Sequence, residues 1–279
     1  MLTLLPMATV VAEEQEPKRS VCYDMSVDGM LAEHVPKVKR APGYYHLWAL
    51  HDGKNVTKSV HWDAVMAAVK RGDELVWTDI ESDTSPNADW RRPQNTLAEL
   101  NPDGPPTLAE VKETHRLIGA RLAPVIAAAK LSGSPVWDYR TVQINSLELW
   151  VSEPAKCEAE LDRLVALDAV GNQSLAEMLH ASGGGVIFEV YVPDAWNVEN
   201  FWLQVKAVIA LERQAAAYRR LGLRAMPLLN PDTVDGAPVR PELLNALIQS
   251  ARSRGDWGWW AQDGATSEAL AREVGASIQ

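Results

Sequence analysis

Apolar positions along the chain change period repeatedly, from two-residue alternation to stretches in which they recur every three or four residues. Eight short runs of the first kind read as strands, at residues 21–25, 44–50, 75–80, 135–139, 147–151, 186–192, 224–229 and 257–260. Segments of helical period fall between them and are clearest at 61–71, 108–131, 154–167, 174–181, 198–221, 241–254 and 267–275. Short β-type runs alternating with longer helical ones predict a parallel sheet with crossover helices. Eight strand candidates is the number that a (β/α)8 barrel requires, so the expected fold class is α/β, a single (β/α)8 TIM-type barrel.

Several boundaries carry their own chemistry. Ser59 places a capping hydroxyl ahead of the segment that begins at His61, and Gly72, Gly133 and Gly222 each close a helical run shortly before a strand. Gly183-Gly184-Gly185 does the same before Val186. The repeated order of helix, glycine and strand favours one domain over residues 20–279, preceded by a tail at 1–19. The basic cluster Lys37-Val38-Lys39-Arg40 reads as a solvated turn. The longest non-periodic stretch, about 82–107, is rich in Pro, Asn and Asp and directly follows the strand at 75–80. A loop of that length in a domain is usually either functional or disordered.

At 279 residues the chain is long enough to bury a full barrel core. Its formal net charge of -10 argues against a general attraction to nucleic acid or anionic membranes. No apolar run approaches the roughly 20 residues of a membrane span. Two cysteines, Cys22 and Cys157, cannot make a disulfide framework, and in an exported chain they could form one bridge at most. Residues 1–12 are apolar and end in small side chains ahead of Glu13 and Glu14. They read either as the core of an export signal lacking its basic start, which implies a secreted or cell-envelope protein, or as a tail on a cytoplasmic one.

The most informative segment is Asp73-Glu74-Leu75-Val76-Trp77-Thr78-Asp79-Ile80-Glu81. Alternation sends Trp77, Asp79 and Glu81 to one face, so two carboxylates project together from the C-terminal end of a strand, where barrel active sites are built. Two carboxylates held close cannot both ionise freely, and the one whose pKa rises becomes able to donate a proton near neutral pH. The alternative reading leaves Asp79 capping the following loop and Glu81 solvated. Other strands also finish in polar or aromatic groups: Trp137-Asp138-Tyr139-Arg140, Glu189-Val190-Tyr191, Leu229-Asn230 and Trp259-Trp260-Ala261-Gln262-Asp263. There are eleven Trp against two Phe, and Trp48, Trp77, Trp137 and Trp260 lie at or near strand ends. Rings with a polar edge suit sugars, whose C–H faces stack while their hydroxyls are hydrogen-bonded; core filling is the plain alternative for each of them.

Other chemistries lack their patterns. The six histidines show no His-x-x-x-His or Glu-x-x-His spacing, so no metal site is expected. No dinucleotide fingerprint or P-loop occurs, since Gly183-Gly184-Gly185 precedes a strand where a phosphate cradle would follow one, and no Gly-x-Ser-x-Gly elbow is present. No cofactor is implied.

Taken in order, these pieces resemble the hyaluronidase-type glycoside hydrolases, a family with an Asp-x-Glu pair at a barrel strand end. Asp79-Ile80-Glu81 resembles that pair, and Trp90-Arg91-Arg92-Pro93 resembles the stretch beyond it. Val136-Trp137-Asp138-Tyr139 and Glu189-Val190-Tyr191 look like the family's tyrosine-bearing strands, and Trp259-Trp260 like its final strand. The chain departs from the family in having Ser82-Asp83 after the pair, and its cysteines match no disulfide framework of the animal members. The resemblance implies a retaining mechanism assisted by the substrate, with Glu81 as general acid and then base and the N-acetyl oxygen as nucleophile. It also implies that Asp79 stabilises the charged intermediate, that Tyr139 and Tyr191 hydrogen-bond it and that Trp260 walls the sugar subsite. Asp138, Arg140, Glu189 and Trp48 complete the expected substrate-binding set.

The function expected is therefore glycoside hydrolysis of a polysaccharide, in which N-acetylhexosamine is one candidate component. A second enzyme reading makes Glu189 a protein nucleophile opposite Glu81. A third, of a different class, is a catalytically silent barrel that binds glycan or serves a structural role. The expected partner is a carbohydrate, and the sequence does not speak to oligomeric state.

Overall fold

The computed structural model describes residues 20–26, 29–41, 44–46, 61–79, 107–139, 144, 146–261 and 266–278, with the backbone alone at 44–46, 61, 79, 110 and 114. The β-branched and aromatic runs form strands β1 (Cys22–Asp24), β2 (Val38–Arg40), β3 (Tyr44–His46), β4 (Val76–Asp79), β5 (Val136–Tyr139), β6 (Gly185–Val192), β7 (Ala225–Thr233) and β8 (Trp257–Trp259). The helices are α1 (Met30–His34), α2 (His61–Arg71), α3 (Leu108–Ser132), α4 (Leu147–Ser152), α5 (Pro154–Val165), α6 (Leu175–Ala181), α7 (Phe201–Arg220), α8 (Pro241–Arg254) and α9 (Glu268–Ile278).

All ladders are parallel, and the strands hydrogen-bond in the order β2-β1-β8-β7-β6-β5-β4-β3. The first strand therefore pairs with the last, Cys22 opposite Trp257. β2 and β3 end this order and are consecutive in the chain. With those two taken as halves of one interrupted strand, the curled sheet has seven staves. The expected α/β class and curled parallel sheet are present, and among the described residues no ladder joins β2 to β3 to close an eightfold barrel.

Two strand expectations account for the difference. Residues 147–151 form helix α4 because the Ser146 hydroxyl caps it, accepting from the Leu149 N–H at 3.3 Å. The side chains buried there, Leu147 and Trp150, are three apart, a helical spacing that the alternation of Leu147, Leu149 and Val151 obscures. Conversely, Val38–Arg40, expected as a turn, is a strand beside β1, with Val38 buried and Lys39 and Arg40 exposed. Elsewhere boundaries move little, and α2 and α8 span 61–71 and 241–254 as expected.

The sheet divides the core in two. Val76, Val136, Val186, Phe188, Val190, Leu229, Trp257 and Trp259 pack outward against the helices. The alternate residues, Tyr23, Met25, Leu75, Trp77, Trp137, Tyr139, Ile187, Met226 and Leu228, fill the concave side as a separate cluster. That is the period of two expressed on a curled sheet. Gly184 marks its tightest approach: a Cβ there would stand 1.8 Å from the Val136 carbonyl oxygen. No described helix is long and apolar enough to cross a membrane.

Candidate active site at the carboxyl ends of the strands

The concave face is apolar at its floor and becomes polar toward the strand ends. On β6 the row Ile187, Glu189, Tyr191 alternates with outward Phe188, Val190 and Val192. Glu189 is only 8% exposed. Tyr191 lies in the register shift between Val190 and Val192, and such irregularities re-aim a side chain at a strand end. On β5 Tyr139 is buried in the concave cluster, opposite Asp79 in the ladder to β4 and Ile187 in the ladder to β6. Asp79 therefore occupies the last position of β4, level with Tyr139 on one side and with His46 on the other.

The same face carries aromatic rings. Trp260 packs against the concave cluster, its ring 5.9 Å from that of Trp77 at an interplanar angle of 77°, and its backbone N–H donates to the Leu229 carbonyl at 2.9 Å. The ends of β1 and β8 are stitched beside it: the Ala261 N–H donates to the Ser26 hydroxyl at 3.0 Å, and Asp24, fully buried, accepts from the Ser26 and Ala32 N–H groups.

Of the expected site residues, the fold thus brings Tyr139, Glu189, Tyr191 and Trp260 to one end of one face, with the backbone of Asp79 at the same level. Glu81, Arg140 and Trp48 lie outside the described residues. Asp138 requires a correction. It falls on the outward row, is 1% exposed and accepts a 2.6 Å hydrogen bond from the Thr78 hydroxyl, so it ties neighbouring strands together behind the sheet and does not face the mouth.

Two features of this end were not in the expected set. Asn230 follows Met226 and Leu228 in the concave row of β7 and is 3% exposed. The alternation that picked out Asp79 reaches it equally well. Phe201 and Trp202, at the start of the helix that follows β6, are 67% and 70% exposed, with ring centroids 5.6 Å apart. The connections here are braced by Asp194, which accepts from the Thr233 hydroxyl at 2.5 Å and the Asp235 N–H at 3.1 Å. The Thr233 hydrogen bond holds its carboxyl below the usual aspartate range. Burial pushes the nearby Asp232 carboxyl up.

Cysteine chemistry has no support at these positions. Cys22 and Cys157 are buried free thiols; burial, and secondarily Asp24, raises Cys22 well above its ordinary value, and burial takes Cys157 to about 11. Among the described residues no three His, Cys, Asp or Glu side chains gather as a metal site would. Two cavities, of about 330 and 430 Å³, open at the opposite, amino ends of the strands. The first is lined by Arg219, Arg224, Arg254, Asp256 and Trp137, with the Arg224 guanidinium 5.1 Å from the centre of the Trp137 ring. The second is lined by Lys37, Lys39 and Arg252 beside Trp257.

The molecule is thus an α/β protein whose curled parallel sheet gathers a carboxylate, an amide, tyrosines and tryptophan at the carboxyl ends of its strands. No family model and no curated protein matches the chain. Among solved structures it is similar to bee venom hyaluronidase, at 13% identity over 73% of this chain and 71% of that one, with a TM-score of 0.46. It is also similar to ZgEngAGH5_4 in complex with a cellotriose, at 9% identity over 95% of this chain and 98% of that one, with a TM-score of 0.38.

Proposed function

We propose that the chain is a glycoside hydrolase acting on a polysaccharide at the carboxyl ends of the strands. The observation that carries this reading is the composition of one concave surface: Glu189, Tyr139 and Asn230 share it with the Trp77 and Trp260 rings. Such a surface offers a sugar ring both an apolar face to stack on and hydrogen-bonding groups for its hydroxyls.

In this reading Glu81, two residues beyond the end of β4, gives its proton to the glycosidic oxygen as the bond to the anomeric carbon breaks. On an N-acetylhexosamine the acetamido oxygen attacks that carbon, Asp79 stabilises the positive charge of the resulting ring, and Glu81 takes a proton from the water that opens it. Tyr139 and Tyr191 hydrogen-bond the intermediate, and Trp260 walls the subsite.

The burial of Glu189 on the concave row favours a second reading, in which its carboxylate is the nucleophile. A separation of about 5–5.5 Å between the Glu81 and Glu189 carboxyls is what that mechanism needs. Reducing-end release from polysaccharides with and without N-acetylhexosamine, followed from acid to neutral pH, tests both. Activity confined to N-acetylated polymers and lost in Glu81→Gln supports substrate assistance. Activity that also requires Glu189 and tolerates polymers without N-acetyl groups supports the protein nucleophile. Binding without release in any case identifies a silent glycan-binding barrel.

A further inference from the structure

Asn230 holds an amide whose two ends are treated differently by the fold. Its Oδ1 accepts a 2.8 Å hydrogen bond from the Asp232 N–H, which fixes the side-chain flip: the oxygen is committed to the turn that follows, and the NH2 group must point the other way. That group has no acceptor among the described residues although the residue is 3% exposed. Buried polar groups are almost always paired, because an unpaired donor forfeits its hydration with nothing in return.

The location gives this unpaired donor a direction. Met226 and Leu228, the preceding members of its row, lie in the concave cluster, so Asn230 is the first polar group of β7 above the apolar floor. Glu189 is opposite Leu228 on the adjacent strand, and Asn230 lies two residues beyond Leu228, directly after the last regular pair, Val190 with Leu229. The backbone beside it is fixed by the Trp260 N–H, which donates to the Leu229 carbonyl. Two donor hydrogens on a rigid strand, next to a carboxylate that only accepts when ionised, complement a group that accepts from one and donates to the other.

We propose that Asn230 is a substrate-binding residue, its Nδ2 hydrogens held ready for an acceptor oxygen of a bound sugar. The inference rests on the glycoside reading above and assigns the amide a partner of definite chemistry, a hydroxyl oxygen or the carbonyl oxygen of an acetamido group. A hydroxyl there accepts from Asn230 and donates toward Glu189; an acetamido carbonyl accepts only.

Cellotriose and tri-N-acetylchitotriose separate the two sources, titrated into the full chain and its Asn230→Asp variant. The substitution keeps the oxygen that the Asp232 N–H uses and turns the donor into an acceptor. The expected result is binding of at least one trisaccharide, a shift of the wild-type Asn230 side-chain amide resonance on saturation, and about tenfold weaker binding by the variant. Cellotriose alone giving the shift assigns a hydroxyl; the N-acetylated sugar alone assigns the acetamido oxygen. Undiminished binding by the variant with an unmoved amide resonance overturns the role of Asn230 and leaves the glycoside reading standing. Neither binding to the trisaccharides nor release from any polymer by the wild type overturns both. If the variant does not fold, the amide resonance of the wild type, selectively labelled at asparagine, decides alone.

Discussion

The rings of Trp77, on β4, and Trp260, directly after β8, meet edge to face at 5.9 Å although β4 and β8 are four steps apart in the hydrogen-bond order. On a flat sheet four steps span about 19 Å, so the contact exists only because the sheet curls and brings its concave face together across the middle. This pair ties the two sides of the concave face together. Trp77 is almost completely buried, and Trp77→Ala is expected to cost about 3–5 kcal/mol in urea unfolding. Trp260→Ala, at a partly exposed position, should cost less. Equal and small losses at both positions would show that the floor does not depend on this contact.

A glycine contrast tests the packing behind the floor. Gly184→Ala would drive a methyl into the Val136 carbonyl, backbone against backbone, and is expected to lose 3 kcal/mol or more, or the folded state altogether (about that range). Gly133→Ala meets nothing within 4 Å and suffers only from its φ of +74°, a loss of about 1 kcal/mol. Thermal or urea melts of the two variants should rank them in that order.

The helix that begins at Leu108 contains a buried titrating group. Burial, and then the charge of Arg163, lowers the His115 pKa from its ordinary 6.5 to about 4. The unfolded chain therefore takes up a proton at higher pH than the folded one. Stability is complete above 6.5 and falls as pH drops toward 4, by about 3 kcal/mol for this group. The urea midpoint of the wild type should decline across that window, and in His115→Gln the decline should flatten. An identical slope in both would assign the acid sensitivity to other groups.

Trp202 offers a surface test of the glycoside reading. Its indole is 70% exposed beside Phe201, and its backbone N–H is capped by the Asn200 side chain at 2.9 Å. Trp202→Ala should leave the melting temperature close to that of the wild type while weakening retention on a long polysaccharide more than binding of a trisaccharide. Unchanged polymer retention would remove this ring from the sugar path.

Much of this arrangement is legible in the sequence, for reasons that differ by element. The rows on β4, β5 and β6 follow a strict alternation whose two faces are both buried, which identifies strands and faces together. Asp138 is one residue from Tyr139, and a strand turns that single step into the opposite side of the sheet, which polar character alone does not reveal. Residues 147–151 misled because the deciding signal was the Ser146 hydroxyl, one position outside the apolar run. Val38–Arg40 is three residues long, too short for periodicity to register, and its strand state comes from pairing with β1. Asn230 was readable by the same row that contains Leu228, but its significance rests on a hydrogen bond that it lacks, and sequence does not record those.

The pairing of β1 with β8 governs the order in which the molecule can be finished. Val21 donates its N–H to the Asp256 carboxylate across 235 residues of chain, and the ladder from Cys22 to Asp24 against Trp257 to Trp259 follows directly above it. A contact of that span contributes nothing until nearly all of the intervening chain has been made, and loop closure over such a distance is slow. On the ribosome β1 must wait for β8, keeping one side of Tyr23 and Met25 uncovered until Trp257–Trp259 has been made. A chain stopped short of Trp257 strands β1 and β2 without a neighbour on the β8 side, so nonsense truncation between Arg254 and Trp257 should yield aggregates instead of a smaller folded core.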